Sequence, residues 1–279
     1  MASLTTTPVS NAVESENRFA RLRKLPPFNN TAVKLLSLTS EEESSAREIE
    51  DLFRSDPALA GELLVAANSP LFGFHGRVST LRHAIVVLGR ERIRTLVMTI
   101  ATASYLRGGY SPAAVRPIWA HAVATALIAQ HLSRHRDAGS SSFIYTAGLT
   151  HDLGRLGLLA RARQVYEPVL TNEFATMEES CEFEKQLVGL THTEAGAFLA
   201  QAWGFPKNLC ACAADHHSPE GASSEEGRVV QTACSLAAAL GFPEVRLQGA
   251  DAAADAAIDE QLDTAFREDL EKRIQQFTV

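Results

Sequence analysis

The chain has 279 residues, 46% hydrophobic and 21% charged, a soluble globular composition that excludes collagen-like, coiled-coil-only and wholly disordered chains. That length predicts one large domain or two small ones, able to bury a sizeable core without staples. A net charge of −7 and a pI of 5.7 give no global attraction to phosphate backbones, so nucleic acid is not an expected partner.

Residues 1–17 are polar, lack an apolar targeting core and read as a flexible tail. Residues 43–54 place Ala46, Ile49, Leu52 and Phe53 at helical spacing. Asp56 and Pro57 then open a second helix as N-cap and first helical residue, running through Leu59, Leu63, Leu64 and Ala67 to Asn68-Ser69-Pro70. A third helix is expected over 79–88, capped by Ser79 and stopped at Gly89, and a fourth over 91–106. Arg77, Arg82, Arg90, Arg92 and Arg94 crowd this stretch against Glu91 alone, a pattern read as a solvated helix face. Gly108-Gly109-Tyr110-Ser111-Pro112 is the sharpest break in the chain. Beyond it, helices are expected over 113–135, 142–152 with Gly154 as left-handed C-cap, 178–203, 206–217 and 228–240, with a Ser/Glu/Gly loop at 218–227. The last 30 residues are Ala- and acid-rich and read as helical. No period-2 run or hairpin dipeptide appears, so the fold is expected to be all-α. No apolar stretch approaches the roughly 20 residues that span a bilayer, and cytoplasm is the expected location.

Four cysteines (181, 210, 212, 234) serve the whole chain. Without a secretory signal they read as reduced thiols. His131 and His135 are expected at a solvated helix end, and Trp119 and Trp203 as core anchors. His75 and His83 are read as structural.

The remaining histidines carry the chemistry. His121 lies in a helix among small residues, Ala120, Ala122, Ala124 and Thr125. His151-Asp152 ends an apolar helix; His192 and His216-His217 follow in later helical segments. Inward-projecting imidazoles and a carboxylate from several helices are how helical bundles build metal sites, suited to Mn, Fe, Ni or Zn. Asp152 could bridge two ions, and Arg155, three residues on, could hold a phosphate oxygen.

The stretch from His121 through His151-Asp152 and His192 to His216-His217 resembles the HD superfamily of metal-dependent phosphohydrolases, in particular its HD-GYP branch. SDPALAGELLVAANSPLFGFHGRVSTLRHAIVVLGRERIRTLV and EFEKQLVGLTHTEAGAFLAQAWGFPKNLCACAADHHSP are similar to the HDOD family of bacterial signal-transduction output domains. The resemblance covers residues 18–240. It implies a two-lobe helical architecture: an N-terminal HDOD lobe over 18–110, an HD-like lobe over 111–247 and a C-terminal helical segment over 248–279. By the same resemblance His121, His151, Asp152, His192, His216 and His217 fall where HD-GYP enzymes hold two metals, and Arg155 stands where they usually have lysine. Three positions depart from that pattern. Pro117 replaces a carboxylate one turn before His121, Cys234 stands for the late aspartate, and SPEGASSEEG replaces the Gly-Tyr-Pro loop. Cys234 could ligate as thiolate or be a small buried residue.

Two functions follow from the resemblance. One is a regulatory module binding one or two divalent ions and a signalling protein partner. The other is an active phosphohydrolase or phosphodiesterase for nucleotides or cyclic dinucleotides, with Asp152 and Arg155 as its catalytic residues.

Overall fold

The computed structural model describes residues 18–40, 44–68, 78–107, 112–135, 138–218, 220–248, 258 and 260–276. The tail over 1–17, Ser69-Pro70, His75, Arg77, the 108–111 break, Pro219 and most of 249–259 lie outside the described residues. The described chain is all-α apart from one two-residue strand pair.

The first half is a set of short helices laid on a long one. Helix α1 (Asn30–Ser40) begins where the Asn29 side chain accepts from the Ala32 amide. Helix α2 (Ala46–Arg54) opens on a capping box, with Ser45 and Glu48 satisfying each other's amides. Helix α3 (Pro57–Ala67) starts as expected: the Asp56 carboxylate caps the Leu59 amide and Pro57 occupies the first turn. Asn29 also donates to Asp56, which ties the starts of α1 and α3 together.

Helix α4 (Leu81–Arg107) corrects two expectations. Thr80 rather than Ser79 caps it, through its hydroxyl on the His83 amide. The expected stop at Gly89 is present: its backbone is non-helical, at φ +70° in the region that favours glycine, and it divides the element into two helical stretches. The arginines do not share a solvated face either. Arg82 and Arg92 are exposed, Arg90 reaches Ser44, and Arg94 turns inward and is buried. There it donates to the Thr39 hydroxyl and carbonyl and to Ser142, with Glu91 at 3.6 Å. This joins α1 to α6 (Ala138–Thr150) through α4.

The second half surrounds α5 (Pro112–Leu132) and α6. The small residues of α5 admit a close neighbour. A Cβ on Gly148 would sit 2.9 Å from the Ala126 Cα, so α6 and α5 touch backbone to backbone there. Helix α7 (Leu153–Thr171) follows after one turn, then β1 (Glu173–Phe174) and α8 (Met177–Val188). Gly189, at φ +77°, ends α8. The expected 178–203 helix is therefore two helices, the second being α9 (His192–Ala202), opened by a Thr191–Glu194 capping box. Gly154 is not a C-cap. It lies inside α7, and a Cβ there would collide with the His192 carbonyl and lie 2.6 Å from the Gly196 amide nitrogen. Its missing side chain lets α7 and α9 cross in contact.

Helices α10 (Lys207–Asp215), α11 (Glu225–Ala239) and α12 (Thr264–Gln276) complete the chain, with β2 (Arg246–Leu247) parallel to β1. One continuous apolar core runs from Leu22 to Ile274. Trp119 is buried in it, and Trp203 packs half-buried with Phe28, Tyr105 and Phe205. His135 is exposed, whereas His131 is not fully solvated. It is half-buried, stacks 4.0 Å from Phe266 and lies 3.4 Å from Asp263. No helix among the described residues is long and apolar enough to cross a membrane.

Candidate metal centre

The structure brings the predicted residues together. His121 projects from α5 where α6 and α11 pack on it. His151 and Asp152 form the turn between α6 and α7, rather than only a helix C-terminus. Asp152 is the N-cap residue of α7, yet its side chain caps nothing. His192 is the first residue of α9, carried against this turn by the Gly154 crossing. His216 and His217 end α10. His121, His151, Asp152, His192 and His216 are all buried; His217 keeps 13% of its side chain exposed.

Four of the imidazoles are oriented alike. Each Nδ1 has an outside acceptor: the Phe242 carbonyl for His121 at 2.7 Å and the Gly148 carbonyl for His151 at 2.6 Å. The Glu184 carboxylate serves His192 at 2.8 Å, and the Ala213 carbonyl serves His216 at 3.1 Å. Those acceptors require the proton on Nδ1, and so assign the lone pair to Nε2. The Nε2 atoms point inward, and those of His121 and His151 are 3.2 Å apart. The His216 Nε2 and both Asp152 oxygens are buried with no hydrogen bond, although the Arg155 Nε lies 3.1 Å from Asp152 Oδ2. Neutral imidazoles fixed at one nitrogen and directed inward at the other are the usual form of a histidine metal ligand; the His192 Nε2 also lies 3.5 Å from the Arg155 guanidinium. Burial keeps them neutral, pushing His121, His151, His192 and His216 below the ordinary imidazole value.

Donor atoms of His192, His216, His217 and Glu244 lie within 4.8 Å of one another, as do those of His121, His151 and Cys234, and those of His121, Asp152 and Glu244. Ring centroids link the groups, with His151 to His216 at 4.8 Å and His216 to His217 at 4.2 Å.

Sequence reasoning missed two members, Glu184 and Glu244. Glu184 sits on α8 and receives both the amide and the Nδ1 proton of His192. Glu244 follows α11 in Gly241-Phe242-Pro243-Glu244 and lies 2.9 Å from the His217 Nε2. An acid between Pro243 and Val245 in an otherwise apolar run was the available signal.

Arg155 is wholly buried among these acids. Its guanidinium lies 3.1 Å from Asp152, 2.6 Å from Glu184 and 3.0 Å from Glu244, and also reaches the Tyr166 hydroxyl. Three carboxylates thus share one guanidinium. Burial would raise all three, but the outcomes differ. Glu184 is drawn down to about 2 by His192 and Arg155, and Glu244 is held well below the carboxylate range by His217 and Arg155. Asp152 goes the other way. Burial, with Glu244 and Glu184 adding to it, lifts Asp152 well above its ordinary value despite Arg155. A divalent ion would relieve that excess of acid, so the donor set fits one.

A cleft of about 400 Å³ between α8 and α10 reaches the edge of this cluster at His217. Glu178, Glu182 and Asp215 line it against Lys185.

The HDOD-domain family model matches residues 25–219. The fold is similar to that of an HDOD-domain protein of unknown function from Geobacter sulfurreducens, with TM-score 0.74 and 22% identity over 95% of this chain and 97% of the other. It is also similar to two proteins from Shewanella amazonensis SB2B. One is described as a candidate phosphohydrolase (TM-score 0.64, 22% identity, 92% and 97% covered) and the other as a candidate metal-dependent phosphohydrolase (0.62, 15%, 97% and 100%). An uncharacterised protein of Treponema pallidum (strain Nichols) is 21% identical over 215 residues; the match takes in 76% of this chain and 41% of that protein's length.

Proposed function

The chain belongs to the HDOD-domain family, and from that premise we propose that it is a bacterial signal-transduction module whose helical core holds one or two divalent ions and whose output is contact with a signalling protein partner. The observation that carries this reading is the set of buried Nε2 atoms turned inward among Asp152 and Glu244, with every Nδ1 tied outside. His121, His151, Asp152, His192, His216, His217 and Glu244 would hold Fe, Mn, Ni or Zn. A bound ion supplies charge neutralisation and, where a coordination position stays open, Lewis acidity.

Two features support a regulatory role. Arg155 has no exposed surface and is already engaged by three carboxylates, so it is not presented to a substrate phosphate. The cleft beside His217 is lined by more acid than base, a poor match for a polyanionic nucleotide. The opposing observation is the cleft itself, which reaches the centre at His217 and favours the second reading, an active phosphohydrolase.

The test is elemental analysis of the full chain purified without chelator, followed by assay against cyclic dinucleotides, nucleotides and model phosphodiesters. Bound metal with no turnover separating the wild type from Asp152→Ala is expected. Turnover that Asp152→Ala abolishes would replace the regulatory reading with the enzymatic one. Protein free of metal, even after reconstitution, would end the metal reading.

A further inference from the structure

The inward-facing donors are not chemically uniform. His192, His216, His217 and Glu244 form an imidazole–carboxylate set. On the other side, the Nε2 atoms of His121 and His151 face the sulfur of Cys234, which lies 3.5 Å from His121 Nε2. All three side chains are buried, and their donor atoms lie within 4.8 Å of one another.

We infer that His121, His151 and Cys234 make a soft metal position that takes a thiophilic divalent ion of the zinc type, unlike the imidazole–carboxylate set beside it. The inference rests on the metal-centre reading above and adds which ion class one position selects. Thiolate with imidazole favours zinc over magnesium or manganese, and zinc completes four-coordination with a carboxylate. The carboxylates beside the set are Asp152 and Glu244, each with an oxygen within the same 4.8 Å reach of His121, and Asp152 also lies 3.1 Å from Arg155.

Binding needs no redox partner. The Cys234 S–H bond breaks heterolytically, and sulfur keeps the electron pair and donates it to the ion. The thiol donates to Glu244, 3.4 Å away, before the ion binds; the ion takes the proton's place on sulfur and the proton is released to solvent.

The competing thiol is Cys181 on α8, within reach of Glu184 and His192. There the Nδ1 of His192 already donates to Glu184, so that set offers fewer bare donors. Cys210 and Cys212 lie on α10 and belong to none of these donor groups among the described residues.

Cobalt(II) substituted into the chelator-stripped full chain tests the assignment. Wild type and Cys181→Ser should show visible d–d bands and a near-ultraviolet thiolate-to-cobalt charge-transfer band. Cys234→Ser should keep the d–d bands and lose the charge-transfer band. Should Cys234→Ser misfold, a chain carrying Cys181→Ser, Cys210→Ser and Cys212→Ser, with Cys234 its sole thiol, gives the answer by keeping the band. Cobalt bound to wild type without the band, or a band that survives Cys234→Ser, overturns the role of Cys234 while leaving the metal centre standing. Wild type that binds neither cobalt nor zinc overturns the centre itself.

Discussion

Arg94 and Arg155 are both buried arginines, one in each half of the molecule, and their surroundings are opposite. Arg94 sits among neutral oxygens, the Thr39 carbonyl and hydroxyl and the Ser142 hydroxyl, with one carboxylate at 3.6 Å. Burial therefore wins and lowers its pKa. Arg155 is buried more completely, yet Tyr166 and the acids Asp152, Glu184 and Glu244 outweigh that burial and raise its pKa well above the ordinary value. The first region is balanced by hydrogen bonds and serves as a joint between α1, α4 and α6. The second carries an excess of acid and bare imidazole nitrogens that packing alone does not explain. Structural polar groups are satisfied; functional ones are left poised.

The largest expected effect comes from pH, because four buried imidazoles sit together in one of the two regions. His121, His151, His192 and His216 have folded-state values below the unfolded value of about 6.5. Their stabilising contribution is present above that value and is lost as pH falls through it toward the depressed folded values. The metal-free protein should therefore lose stability as pH falls below about 6.5, by at most about 1.4 kcal/mol per pH unit for each histidine that the fold keeps neutral. Asp152, raised, works in the opposite sense, losing its contribution as pH rises through its folded value. Urea titrations at several pH values measure the slope. An Arg94→Met chain should give a parallel profile, since Arg94 is held by Thr39 and Ser142 beside Glu91 rather than by the imidazoles of the centre. A flat profile would sink the assignment of neutral buried imidazoles.

Next in size is Arg155→Met, which leaves three buried carboxylates without their common partner and should cost about 3–5 kcal/mol. The loss should shrink when divalent metal is added. Arg94→Met strands neutral acceptors and should cost about 1–3 kcal/mol. Chemical denaturation of both variants, with and without zinc, checks the ranking; equal costs would dissolve the contrast between the two arginines.

Glycines sharpen the comparison further. Gly154→Ala drives a methyl into the α9 backbone at His192 and Gly196, and should cost about 1–3 kcal/mol or more while weakening metal uptake. Gly61→Ala on the exposed face of α3 meets nothing within 4 Å and should stabilise by about 0.4–1 kcal/mol with metal uptake unchanged. Thermal melts with metal analysis of the two variants separate the effects.

Much of the architecture was legible along the chain. Helical spacing located the elements, and Asp56-Pro57 announced its cap, because both signals act over one turn. The histidines of the candidate site were also readable, since polar residues in apolar helical settings stand out and their order matched a family pattern. Gly154 was misread because a glycine after an apolar run looks the same whether it ends a helix or admits a neighbour.

What the sequence by itself determined was the all-helical fold, the family and the identity of most inward-facing donors. Tertiary structure alone decided that Glu184 and Glu244 join them, that Arg155 is enclosed by acids, and that Cys234 shares a corner with His121 and His151. Those relations span more than a hundred positions in the chain, 113 between His121 and Cys234. Local periodicity reports only which side a residue faces on its own helix; which helices meet there depends on how the whole core packs.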